Sequence, residues 1–367
     1  MLMISAALLV CVSILVGVLL VCSPGKPEPF LDDNGRPVEG SISEKLHINI
    51  NGMEQGMFIK SKNNANPVLL FVHGGPGMPE YAFEEVYPTG LENYFTVCWW
   101  EQRGAGLSYN AGISADSVTL EQSVSDTLAV TDYLRERFGQ EKIYLMAHSG
   151  GTYTGISAAA KAPERYKAYI GIGQLSQSLE SERLAYEYML EQYRASGNTR
   201  MVRRLEKYPP STFKSYTELH PYVSSVLRDE AMHDLGIGTT RNMKSLIRGI
   251  VLPIFQCREY TLGEKINIWR GKALLGKSRL REQNYSTDLT SAVQKLDIPV
   301  YFFSGAYDYT VNYSLAKKYL NHMKAPIKGF YTFDESAHSP LFEEPERMQQ
   351  ILQEDVMAGV NNLADAQ

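Results

Sequence analysis

The chain predicts an α/β fold: a mostly parallel β-sheet flanked by helices, interrupted by an inserted helical cap and preceded by a transmembrane helix. Three observations carry this. Short apolar runs alternate with helical patterns up to about residue 175 and again from about residue 293. Between these stretches the alternation fails, and the chain becomes helix-like, charged and rich in Tyr, with breaks at Pro209-Pro210, Pro221 and Pro253. Residues 1–22 carry no charged side chain, and about 20 apolar residues are enough to cross a bilayer. The expected segments are therefore an anchor (1–22), a tether (23–43), a first part of the core (44–175), the cap (176–292) and a second part of the core (293–367).

A chain of 367 residues, 44% of them hydrophobic, can bury a large core. Its net charge of -5 provides no basic footprint, which excludes nucleic acid as an expected partner. The four Cys form no disulfide framework, and Cys98 and Cys257 read as buried free thiols. No Cys or His spacing suits a structural zinc, and neither a metal nor a cofactor is implied.

The apolar N-terminus reads as an uncleaved anchor rather than a signal peptide. No Lys or Arg precedes the run, and Ser23-Pro24 is a poor cleavage site. The flanking charges are too few to assign the side of the membrane. The tether that follows is marked by Pro24, Gly25, Pro27, Pro29, Gly35, Pro37 and Gly40.

In the body, runs at 45–51 and 57–62 flank Asn51-Gly52, a hairpin signal. Residues 67–72 read as a strand covered on both faces, leading into His73-Gly74-Gly75-Pro76-Gly77. Residues 95–100 form the next strand and deliver Glu101-Gln102-Arg103-Gly104-Ala105-Gly106-Leu107-Ser108. Thr119-Leu-Glu-Gln122 is a capping-box signature opening a helix to Phe138. Further strands are expected at 143–146, 169–172, 299–303 and 327–333, with helices around 314–323 and after Pro345.

The strand at 143–146 breaks off at Ala147-His148-Ser149-Gly150-Gly151, and a helix of small residues follows. This is the strand, sharp turn and helix that exposes a nucleophile, here Ser149. Acyl transfer also needs a base, a carboxylate to orient it, and donors for the oxyanion. Asp308 follows the strand at 299–303, and His338 follows the strand ending at Phe333. Asp334 and Glu335 compete with Asp308 for the acid role. His148 is read as lining the turn rather than as the base. The N–H of Gly150, directly after the nucleophile, and that of Gly75, in the loop after an earlier core strand, are the expected oxyanion donors. Gly271-Lys-Ala-Leu-Leu-Gly276-Lys277-Ser278 matches a phosphate-loop pattern in letters only, because a helix start at Thr261-Leu-Gly-Glu264 precedes it.

The order Ser149, Asp308, His338 is that of the α/β-hydrolases. Together with His73-Gly-Gly-Pro-Gly77, Gln102-Arg-Gly-Ala-Gly-Leu-Ser108, Gly305-Ala-Tyr-Asp308 and Ala337-His338-Ser339, it makes the chain resemble the proline iminopeptidase branch. The resemblance implies a capped serine hydrolase that releases N-terminal residues, proline above all, from short peptides. Three departures stand out: Glu101 where Asp is commoner, Gly150 where Trp is usual, and Met78-Pro79 after the first loop. That branch holds the substrate amine with cap carboxylates, and no cap Glu here falls in a matching motif. An esterase, lactonase or amidase with the same triad is the alternative, followed by a non-catalytic hydrolase-like binding protein.

Overall fold

The computed structural model describes residues 13–14, 16–209 and 213–366. The strands are β1 (Ile42–Ile50), β2 (Met53–Ser61), β3 (Val68–Val72), β4 (Thr96–Trp100), β5 (Ile143–His148), β6 (Tyr166–Ile172), β7 (Val300–Gly305) and β8 (Lys328–Phe333). They form one sheet in the order β1-β2-β4-β3-β5-β6-β7-β8. β1 pairs antiparallel with β2 across Asn51-Gly52, and both turn residues have positive φ, as a two-residue hairpin of this twist requires. β2 is antiparallel to β4, and every pair from β4 through β8 is parallel.

Alternation along the central strands fills both faces. Leu70, Val72, Leu145 and Phe302 pack on one side, and Leu69, Phe71, Met146 and Phe303 on the other. The helix Leu120–Phe138 starts at Thr119, whose hydroxyl accepts the N–H of Gln122, and ends at left-handed Gly139. The Gln122 side chain turns to Asp126 instead, so only one arm of the expected capping box forms.

Between β6 and β7 the described residues are helical, from Ser178–Ala195 to Leu289–Ala292. This region has its own apolar cluster, built on Tyr186, Met189, Tyr193, Leu219 and Tyr222. Gly271 lies inside the helix Leu262–Leu275, which a complete Thr261/Glu264 capping box opens, so that stretch is no phosphate loop. Cys98 and Cys257 are buried free thiols.

The expectation of a transmembrane anchor, and of the bilayer as partner and location, is overturned. Among the described residues no helix is long and apolar enough to cross a membrane. Of the expected span 1–22, residues 1–12 and 15 lie outside the described residues, while 13–14 and 16–21 are helical. The chain beyond is tied to the body: Gly25 N–H donates to the Arg258 carbonyl, and the Lys265 ammonium donates to Ser23 Oγ at 2.9 Å.

Candidate active site

Three strand ends bring the site together. Ser149 follows β5 directly and has φ of 52°, a left-handed conformation that a side-chain-bearing residue adopts only under constraint. Its N–H is held by the Ile172 carbonyl at the end of β6, and the helix Gly151–Lys161 begins at once. Asp308 lies three residues beyond β7 and is 1% exposed. His338 lies on the loop after β8 and is 5% exposed.

These side chains form a hydrogen-bonded line. His338 Nε2 is 2.7 Å from Ser149 Oγ, and His338 Nδ1 is 2.8 Å from Asp308 Oδ2. The other oxygen of Asp308 accepts the Val311 N–H at 2.8 Å, which fixes the carboxylate plane. A carboxylate only accepts, so Nδ1 carries the proton and Nε2 faces the serine hydroxyl as acceptor. Asp334 and Glu335 are both exposed, and neither bonds to His338.

Gly75 and Gly150 face one another. A Cβ on Gly150 would lie 2.7 Å from the Gly75 carbonyl oxygen, so no side chain fits there without moving the loop after β3. Among the described residues neither N–H donates to a protein acceptor. Arg281 Nη1 donates to the Gly75 carbonyl at 3.1 Å and holds that peptide from the cap side.

Sequence reasoning missed Glu80. It is 6% exposed and accepts the Gly74 N–H at 2.9 and 3.2 Å. It also meets His148 Nδ1 at 2.8 Å, while His148 Nε2 donates to the His338 carbonyl at 3.0 Å. His148 lines the turn and does not touch Ser149; it joins Glu80 to the backbone of His338. Burial alone would lower its pKa, but the Glu80 hydrogen bond and charge, the His338 carbonyl and Asp308 raise it above the usual histidine value. A carboxylate three residues after the glycine-rich loop 73–77 is the signal that could have found Glu80.

The two sequence signatures lock the surrounding loops. His73 accepts the Gln102 N–H at 3.0 Å and donates to the Gly74 carbonyl at 2.9 Å, and burial holds its pKa below the ordinary value. Arg103 grips Asp126 with two nitrogens at 2.7 and 3.0 Å. Glu101 accepts from the Tyr260 hydroxyl and, at 2.5 Å, from the Leu107 N–H.

Ser149 opens onto two cavities. The wider, about 810 Å³, is bounded by Gly74, Gly75, Ser149, His338 and the stretch Thr239–Ile250. The smaller, about 110 Å³, lies towards Gly150 and is lined by Glu182, Arg228, Arg281, Asn284 and Tyr285. Glu182 is paired with Arg228 at 2.6 and 2.8 Å. Asn284 Oδ1 is buried there with no hydrogen-bond partner among the described residues.

The chain belongs to the α/β-hydrolase superfamily: residues 67–345 match the model of the alpha/beta hydrolase fold family. It is a hydrolytic enzyme of that class. Several relatives carry the proline iminopeptidase name. The chain is 29% identical over 311 residues to a probable aminopeptidase, YbaC, of Bacillus subtilis strain 168, covering 84% of this chain and 95% of that one. It is 22% identical over 302 residues to a proline iminopeptidase of Thermoplasma volcanium, covering 81% and 92%. The proline iminopeptidase of Mycobacterium smegmatis superposes with a TM-score of 0.60 at 15% identity, covering 84% and 96%, which is a likeness of fold.

Proposed function

We propose that the chain is a serine hydrolase of the aminopeptidase type, releasing the N-terminal residue of short peptides through an acyl-enzyme. The observation that carries this is the line from Ser149 Oγ through His338 to Asp308, at 2.7 and 2.8 Å. His338 Nε2 takes the serine proton as Oγ attacks the scissile carbonyl carbon. Asp308 holds the ring in the tautomer that leaves Nε2 free and stabilises the imidazolium that results. The Gly75 and Gly150 N–H groups receive the oxyanion. The C–N bond breaks as His338 returns its proton to the leaving amine. Water, deprotonated by the same nitrogen, then hydrolyses the ester.

The small cavity supports a peptidase over a general esterase. Asn284 Oδ1 can only accept, so it calls for an N–H donor on the substrate, and the amino group of an N-terminal residue is one; Arg281 beside it is engaged by the Gly75 carbonyl. Likeness to a probable aminopeptidase and to proline iminopeptidases supports the same reading. A fluorophosphonate probe tests the nucleophile without knowledge of the substrate: it should label the wild type and leave Ser149→Ala unlabelled. Equal labelling of both would remove Ser149 from its role. Hydrolysis of free-amine but not N-acetylated aminoacyl substrates would separate the peptidase from an esterase.

A further inference from the structure

The charge lining the wide cavity runs against that of the whole chain. Acidic residues outnumber basic ones, 41 to 36, yet Arg241, Lys244, Arg248 and Lys272 all line this cavity. Elsewhere Lys60 is paired with Glu259, Arg103 with Asp126 and Arg228 with Glu182, while the buried Lys265 ammonium is satisfied by Ser23 Oγ and the Cys22 and Phe255 carbonyls. Among the described residues none of the four cavity cations lies within ion-pair distance of a carboxylate; their recorded contacts are of other kinds.

Two of them are held in place, the half-buried Arg241 and the exposed Lys244. The Arg241 guanidinium stacks 3.1 Å from the centre of the Tyr307 ring and gives one N–H to the Gly236 carbonyl at 3.4 Å. Lys244 is anchored on the His233 and Asp234 carbonyls at 3.1 and 2.9 Å, at the end of the helix Val226–Leu235. The carboxylates of the same cavity are mostly spent. Glu80 is taken by His148 and Gly74. Glu343 receives the N–H groups of Arg241, Ala337 and Ser339, and burial pushes its pKa up to about 7. Only Glu335 is exposed. The excess of positive charge along this cavity repels an ammonium and draws in an anion.

We infer that the part of the substrate filling the wide cavity carries a carboxylate, as the leaving portion of a short peptide does at its free C-terminus or on an acidic side chain. The inference rests on the peptidase reading for the identity of the bond cut, but the binding preference does not depend on turnover. Planar guanidinium groups match a carboxylate's two oxygens, and Arg248 makes no side-chain bond to other described residues that would have to be broken first. The cavity's 810 Å³ has room for several residues beyond the scissile bond.

The test uses the full-length Ser149→Ala protein and calorimetric binding of three peptides: Pro-Gly-Gly, its C-terminal amide, and Pro-Asp-Gly amide. The free acid should bind roughly tenfold tighter than the amide, with the gap narrowing as salt rises. In Arg248→Gln/Lys272→Gln on the same background, which removes two of the four cations, the gap between acid and amide should shrink by roughly threefold or more. Recovery of affinity by the Asp peptide assigns the preference to any carboxylate in the cavity, and its failure assigns it to the C-terminus. Equal binding of all three peptides, or a preference undiminished by the double substitution, overturns the inference. Fluorophosphonate labelling of the wild type reports on the catalytic reading separately, so the two can fail independently.

Discussion

His148 Nδ1 lies 2.8 Å from the buried carboxylate of Glu80, and the opposite nitrogen of the same ring donates to the backbone carbonyl of His338. Both nitrogens face acceptors, which a neutral imidazole cannot satisfy at once. The raised pKa of His148 favours the form with a proton on each ring nitrogen, and Glu80 also accepts the Gly74 N–H. This buried contact tethers the loop carrying His338 to the turn carrying Ser149.

Removing the cation should expose that dependence. His148→Ala leaves Glu80 buried beside the Gly74 N–H with no counter-charge, and losing one partner of such a pair costs about 3–5 kcal/mol. Urea unfolding should register it. Because the folded pKa of His148 is raised, its stabilisation is complete below about pH 6.5 and fades as pH climbs through the higher folded value. Unchanged unfolding in His148→Ala would remove the ion pair.

Asp308→Asn should keep the Val311 N–H bond but offer an amide donor to His338, turning the ring to the wrong tautomer. Turnover is expected to fall roughly 10⁴-fold, with thermal stability little altered. If activity stays near wild type, the acid role passes to another carboxylate, Asp334 or Glu335 among them.

Gly150→Ala tests the facing glycines. The new Cβ would lie 2.7 Å from the Gly75 carbonyl oxygen, and backbone must shift to make room. Displacing one oxyanion donor typically costs 10²- to 10³-fold, roughly, in kcat. The KM should move far less, and a kcat equal to wild type would show that the loop after β3 does not serve the reaction.

Glu101 shapes the pH dependence of stability. Burial pushes its pKa up to about 8, against the lowering effect of the Tyr260 and Leu107 bonds. Between about pH 4.5 and 8 the folded chain thus holds a proton that the unfolded chain has released. Stability from this group falls as pH rises, by up to about 1.4 kcal/mol per pH unit. In Glu101→Gln, whose amide can serve both partners, that slope should flatten. A wild-type slope in the variant would show that Glu101 is ionised throughout.

Much of the architecture is legible locally. Apolar runs such as Val68–Val72 and Val300–Gly305 can only be strands covered on both faces, and small residues around Ser149 permit only a tight turn. Strand ends then nominate Ser149, Asp308 and His338, because side chains at those ends share one rim of a parallel sheet. The N-terminal run shows the limit of that logic. Its composition matches a bilayer span, but composition does not say whether a continuous helix forms, and among the described residues none of sufficient length does.

Determined by the sequence alone, then, are where the strands fall along the chain, turn chemistry and the residue types available at each turn, since these depend on neighbours a few positions away. Left to the tertiary structure are the pairing of Glu80 with His148 across 68 residues, the facing of Gly75 and Gly150, and the gathering of four unpaired cations around one cavity. Such contacts exist only once the chain has closed on itself, and burial then sets both their geometry and their charge.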